Sequence, residues 1–365
     1  MMDDYAILVG ISKYADTSTF PELQGPVNDV ELMKKWLTSP DGGGVSQSKI
    51  ITIVSPQVIP TDKPDEIPPL TQDFLKAFKK VTCQNGDFIK NQGRLYLYFS
   101  GHGFCDKKSL TPQATLYAAN ATRNFPENIF GSYYALAAKD LALFREIVLI
   151  MDCCRDAEIN RPPDIPTINL SGSNAAEDVK LLCIYAAPKG GKAQERFIDG
   201  QYRSLLTHAL LKAFAEAKPD PYGFVTSEGL KRHLRESWSS VCGNIPAPQP
   251  EIVLPTLDDI KFRSKNQQGI LQVFKFSSPL TSSTIMEIFN GENQVVVQCD
   301  LQPSLSSSVS TVTINGSSST YLQFDGEIFS LYLQPGYYEY VLSSGGVSRS
   351  SLFKVLIKGG ENVSL

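Results

Sequence analysis

The chain of 365 residues has only three histidines, His102, His208 and His233, set far apart, and none of its seven cysteines forms a Cys-x-x-Cys pair. This scarcity argues against a metal centre built from these residues. Seven cysteines at irregular spacing point to reduced thiols rather than to a disulfide framework. No apolar run approaches the roughly 18 residues that a membrane-spanning helix needs. The opening Met1-Met2-Asp3-Asp4-Tyr5 is acidic and lacks a basic leader region, so the expected location is cytoplasmic, with no membrane partner. A basic excess is missing as well. Lys and Arg number 34 against 38 Asp and Glu, a net charge of −4, and the cations are scattered, so nucleic acid is not an expected partner.

Strand-like and helix-like patterns alternate from residue 1 to 262, the sequence form of a mostly parallel sheet with helices on both faces. Strands are expected over 5–11, 49–54, 93–100, 145–152 and 181–187, with a short edge strand over 247–254 that carries the prolines tolerated there. Helices are expected over 29–37, 71–82, 137–144, 205–217 and 226–241. Trp36 and Trp238 fall in helical patterns as core residues, and His208 falls on the face of the fourth helix. The polar stretch 263–269, Arg-Ser-Lys-Asn-Gln-Gln-Gly, marks a break in composition and reads as a linker. Beyond it, residues 270–365 hold short β-branched or aromatic runs broken by Gly, Ser, Asn or Pro. That pattern predicts an all-β, sandwich-like accessory domain.

Two apolar runs end in reactive residues. The first is Tyr96-Leu97-Tyr98-Phe99-Ser100-Gly101-His102-Gly103; the second runs from Ile147 into Asp152-Cys153-Cys154-Arg155. A thiol attacks only as thiolate and needs a base close by, and His102 and Cys154 supply such a pair. In an open parallel sheet ligands bind beyond the carboxyl ends of the strands, where both residues fall. The backbone N–H groups of Gly103 and Cys154 are candidate oxyanion donors, each lying beside a reacting residue. Because strand residues alternate, Cys153 is expected to face the other side as a small buried packing residue.

These two motifs resemble the paired histidine and cysteine motifs of the caspase-like peptidases, more closely those of bacterial caspase-like proteins and metacaspases than those of animal caspases. The resemblance extends to Val9-Gly10-Ile11, to the block from Leu23 to Val30, and to the stretch from Ile184 to Glu195 leading into Leu205 to Leu210. It implies an α/β caspase-like peptidase domain over 1–262 and a cysteine endopeptidase acting on protein or peptide substrates. It also implies that the nucleophile is the cysteine preceding a basic residue, Cys154 before Arg155. Animal caspases carry Gln at the position of Asp152 and accept Asp before the scissile bond, whereas metacaspases carry acidic residues and accept Arg or Lys. Asp29 and Asp152 fall on those acidic positions and Ser100 on a pocket-lining serine, so cleavage after Arg, then Lys, is expected, in keeping with bidentate capture of a guanidinium. Asp29 has a second reading as a cap of the helix that follows it.

No cofactor is expected. Many metacaspases use calcium, but the acidic residues after Cys154 form no recognisable oxygen-ligand pattern, and Asp156 is expected to pair with Arg155. The resemblance suggests regulated proteolysis or stress and defence signalling, with the last domain open to a regulatory partner. The competing reading is a catalytically silent caspase-like scaffold acting as an interaction module.

Overall fold

β1 (Tyr5–Gly10) is buried over its last five residues and starts the order of elements. Helix α1 (Pro26–Thr38), β2 (Ile50–Val54) and α2 (Thr71–Thr82) follow, then a small hairpin of β3 (Cys83–Gln84) and β4 (Asp87–Phe88). β5 (Gln92–Gly101) leads into a three-stranded sheet of β6 (Gly103–Phe104), β7 (Thr115–Tyr117) and β8 (Asn128–Ile129), then α3 (Gly131–Asp140) and β9 (Phe144–Cys153). Next come β10 (Lys180–Tyr185), the hairpin β11 (Glu195–Ile198) and β12 (Gln201–Ser204), α4 (Leu205–Glu216) and β13 (Val225–Thr226). α5 (Ser227–Cys242), β14 (Glu251–Val253) and β15 (Lys261–Phe262) complete this part. The computed structural model describes residues 3–39, 42–55, 67–156, 163–169, 173–220, 224–262, 270–276, 282–291, 293, 295–301, 322–324, 328–333, 336–356, 359–360 and 362–364.

The main sheet has the order β14-β10-β9-β5-β1-β2 and is parallel except for the antiparallel edge strand β14. β5 and β9 are its central strands and are buried along most of their length, as a sheet covered on both faces requires. Ile7, Val9, Leu97, Phe99, Leu149 and Met151 pack on one face, where Phe74 of α2 and Tyr134 of α3 join them. Leu8, Tyr98, Val148 and Ile150 pack on the other, against Val30 of α1, Leu210 of α4 and Leu234 of α5. Chain order runs outward in opposite directions from β1 and β5, so the crevice at their carboxyl ends is a topological switch point.

Two local differences from the sequence reading have physical causes. The third helix covers Gly131–Asp140 rather than 137–144, because Ala142 turns the chain through a positive φ of 49° and Phe144 already belongs to β9. The hairpin β11–β12 was not anticipated. Its Asp199-Gly200 turn, with φ of 49° and 84°, is the Asp-Gly signal for a tight hairpin, but the flanking strands are too polar to stand out by hydrophobic pattern.

A second unit comprises Pro219–Phe224 and Asn266–Leu365, the first comprising Met1–Lys218 and Val225–Lys265. The second contains β16 (Ile270–Lys275), β17 (Thr284–Asn290), β18 (Val295–Leu301), β19 (Leu322–Phe324) and β20 (Ile328–Leu333). β21 (Gly336–Ser344), β22 (Val347–Leu356), β23 (Gly359–Gly360) and β24 (Asn362–Ser364) follow. They form a four-stranded sheet, β19-β20-β16-β24, and a five-stranded one, β18-β17-β21-β22-β23. Phe274 and Leu333 of the first sheet share a core with Met286, Ile288, Tyr340 and Phe353 of the second, which makes this unit a sandwich. The expected linker 263–269 and the strand-like run 310–314 lie outside the described residues. No helix among the described residues is long and apolar enough to cross a membrane.

Candidate catalytic site

The register of β5 against β9 brings the two motifs together. Ser100 stands opposite Asp152 and Gly101 opposite Cys153, so His102 and Cys154 leave adjacent strands at the same level. The exit of β5 depends on glycine. Gly101 has a φ of 153°, and a Cβ there would lie 2.7 Å from the Tyr14 hydroxyl; a Cβ on Gly103 would lie 2.5 Å from the Cys153 sulfur. Tyr14 hydroxyl accepts the His102 N–H at 2.8 Å, which ties the histidine to the loop after β1.

The imidazole is held on a second atom. Nε2 of His102 lies 2.8 Å from the Pro21 carbonyl, and a carbonyl only accepts, so Nε2 carries the proton and Nδ1 is the basic nitrogen of the neutral ring. Tyr14 and Phe20 pack beside the ring, with centroids 5.0 and 5.9 Å away. Burial lowers the His102 pKa below its ordinary value, so the ring is neutral at pH 7 and available as a base.

Cys154 is half-buried, with its sulfur 3.9 Å from the Ala193 carbonyl, whereas Cys153 is fully buried in the opposite face of the sheet. Burial raises the Cys154 pKa, so the resting pair is thiol and neutral imidazole rather than an ion pair. One expected result follows. Alkylation of Cys154 by iodoacetamide, read by peptide mapping, should keep climbing past about pH 9, above the ordinary thiol value of about 8.5. A rate that reached its plateau near pH 5 would mark a preformed thiolate and defeat this account.

Arg155 anchors the turn behind the cysteine. It is 1% exposed, and its guanidinium donates to the carbonyls of Gln113 (2.8 Å) and Ala187 (3.1 Å), pairs with Glu251 and lies over the Tyr185 ring. The expected pair of Arg155 with Asp156 is therefore corrected: Asp156 faces Lys192 at 3.9 Å, and Glu251 takes the arginine because β14 pairs beside Tyr185. Asp164 bonds to Asn128. Among the described residues, no three His, Cys, Asp or Glu side chains cluster as metal ligands.

Beside His102 and Cys154 lies a cavity of about 130 Å³, lined also by Asp29, Ser100, Asp152, Glu195 and Ser204. It has the dimensions of one side chain, well below the roughly 300–1,000 Å³ of pockets for whole small ligands. Asp29 does not cap α1, which starts three residues earlier at Pro26; its carboxylate accepts Ser204 N–H at 3.1 Å and the Ser100 hydroxyl at 3.3 Å. Asp152 accepts the hydroxyls of Ser204 (2.5 Å) and Thr207 (2.6 Å) and the Thr207 N–H (3.2 Å). Burial pushes both carboxyls above their ordinary pKa, and the charge of Asp152 pushes Asp29 further. A cation standing between two such carboxyls would lower the cost of ionising both.

Glu195 was not singled out by sequence reasoning. It begins β11 and accepts the N–H groups of Gln24 (3.1 Å) and Gly25 (2.8 Å) at the start of α1, so a third carboxylate faces the cavity from across the chain. The Asp199-Gly200 turn was the signal that could have placed it.

The caspase-domain family model matches residues 3–252, more than half of the chain. The chain belongs to the caspase family. A protein of a Desulfuromonadales bacterium named as a probable protease is 27% identical over 220 residues, a match covering 58% of this chain and 26% of that relative. The chain thus matches about a quarter of its relative's length. In this caspase-family domain the matched residues contain the five parallel strands of the main sheet, His102, Cys154 and all three pocket carboxylates.

Proposed function

We propose that the chain is a cysteine endopeptidase that cleaves proteins after arginine, and less readily after lysine. The observation that carries this reading is a cavity the size of one side chain, walled by Asp29, Asp152 and Glu195, opening directly beside His102 and Cys154. A guanidinium entering it can meet two carboxylates at once, whereas an ammonium offers a point charge on a shorter reach. An aspartate side chain would meet only repulsion.

The chemistry runs as follows. Nδ1 of His102 takes the proton of the Cys154 thiol as the sulfur attacks the scissile carbonyl carbon. Charge developing on the carbonyl oxygen is met by the backbone N–H groups of Gly103 and Cys154. The His102 proton passes to the leaving amine nitrogen, the C–N bond breaks and a thioester remains. Water, losing a proton to His102, then attacks the thioester carbon; the C–S bond breaks, the product acid leaves and Cys154 regains its proton.

Residues 1–262 are read as the peptidase domain and 270–365 as the accessory domain. Exposed apolar side chains on the accessory unit, among them Tyr337, Val347 and Leu352, support its use as a surface for a regulatory partner in regulated proteolysis. The seven cysteines stand as free thiols, which supports a reducing, cytoplasmic location.

The test is the purified full chain on fluorogenic peptides ending in Arg, Lys or Asp, with and without calcium. Cleavage after Arg is expected to exceed that after Lys by roughly tenfold, the scale of one lost charge-assisted hydrogen bond. Cleavage after Asp would overturn the reading of the acidic cavity.

A further inference from the structure

A second cavity, of about 480 Å³, meets the acidic one at the reacting pair: the two share only His102 and Cys154 among their lining residues. Its wall is of different chemistry. Phe20, Tyr117 and Pro126 give it apolar surface, and the rings of Phe20 and Tyr117 pack together with centroids 4.5 Å apart. Arg123 and Lys192 stand on its rim with Asp156 as the one carboxylate. Lys192 already faces Asp156, and among the described residues the Arg123 guanidinium makes no ion pair, the nearby Asp16 carboxylate accepting the Arg123 backbone N–H at 3.0 Å. The volume falls within the range of about 300–1,000 Å³ that holds more than one side chain.

Resting on the peptidase reading above, we propose that this cavity receives the substrate residues that follow the scissile bond, an aromatic or aliphatic side chain first and a carboxylate next. The direction follows from the proton transfer. The amine that leaves must lie within reach of His102, and Phe20, packed 5.9 Å from the imidazole, lines this cavity and not the acidic one. A chain whose basic side chain fills the acidic cavity therefore passes over Cys154 and meets Phe20 and Tyr117 with its next side chain. The residue after that reaches the rim, where Arg123 awaits an anion. Across the nucleophile the cleft is thus bipolar, three carboxylates on one side and, on the other, Arg123, which among the described residues makes no ion pair, beside the Lys192–Asp156 pair. It selects a basic–apolar–acidic sequence rather than a lone basic residue.

The experiment uses internally quenched peptides identical up to a scissile Arg and continuing Phe-Asp, Phe-Lys or Ser-Asp, with a coumarin amide of the same Arg peptide alongside. The full chain and its Arg123→Glu variant are compared by kcat/KM. Phe-Asp is expected to exceed Phe-Lys by roughly tenfold, since the swap removes one partly exposed attraction and adds one repulsion. In Arg123→Glu the order of these two should reverse, while the advantage of Phe-Asp over Ser-Asp persists. Equal rates for Phe-Asp and Phe-Lys, or a preference unmoved by Arg123→Glu, overturn this proposal, and with the coumarin amide still cleaved they leave the peptidase reading standing. Failure to cleave any of the substrates, the coumarin amide included, removes the peptidase reading and this one with it.

Discussion

Replacing Cys154 with alanine is expected to lower kcat/KM on an Arg-ended peptide by about a millionfold, the scale lost when the attacking atom of a covalent mechanism is removed. The side chain is small and half-buried, its sulfur 3.9 Å from the Ala193 carbonyl, so the folded state loses little. Melting temperature should therefore barely move. Cys153→Ala, one residue earlier, should behave in the opposite way. Cys153 is fully buried among Leu97, Phe99 and Met151, and truncation there costs about 1 kcal/mol of packing, with turnover retained. His102→Ala should match Cys154→Ala, and the double variant should be no worse than either, because thiol and imidazole act in one step. If Cys154→Ala kept the activity and Cys153→Ala lost it, the nucleophile would have been assigned to the wrong residue. If the unaltered chain already lacked activity while binding a partner through its second unit, the scaffold reading would take its place.

Asp29→Asn is expected to lower kcat/KM for Arg peptides by roughly 100-fold or more, the cost of leaving a buried cation one carboxylate short. The same change should make the empty protein more stable at neutral pH. Burial and the neighbouring Asp152 raise the Asp29 pKa in the fold, so the folded chain holds this proton more tightly than the unfolded chain does. Stability therefore falls as pH rises from the ordinary carboxylate value towards the raised one, and the full cost is present above it. Asparagine keeps an oxygen for the Ser204 N–H, and its amide can donate to the Ser100 hydroxyl, so the bonds survive without the charge. A gain of about 1 kcal/mol, or about 2–4 °C in melting temperature, is the expected size at pH 7, vanishing below about pH 3. In the unaltered chain, kcat/KM for Arg peptides should fall as pH drops through the raised range, since the protonated pocket no longer attracts a cation. A variant that is both less stable at pH 7 and fully active on Arg would show that Asp29 is only a structural group.

Much of this fold could be read from local pattern. Tyr5–Gly10, Gln92–Gly101 and Phe144–Cys153 are apolar runs long enough to be strands buried on both faces, and α2 and α4 follow their helical stripes almost to the residue. His102 and Cys154 could be named because each follows the end of such a run, where a sequence pattern changes sharply, whereas Asp152 and Ser100 were nameable as pocket residues only through the resemblance to metacaspases. Asp29 was nameable from its motif but had two readings, a cap or a pocket acid; only the start of α1 at Pro26 shows its carboxylate turned to Ser204 and Ser100.

The sequence by itself determined the elements and the two chemical groups, because periodicity and strand ends are properties of neighbours along the chain. Tertiary structure alone decided which groups face one another. Glu195 reaches the N–H groups of Gln24 and Gly25 from 171 and 170 residues away, and Arg155 finds Glu251 across 96. Pro21 comes to His102 across 81. Such pairs are set by strand order and by the register of Ser100 with Asp152, which depend on how whole faces of the sheet bury their side chains and leave no trace in any short window of sequence.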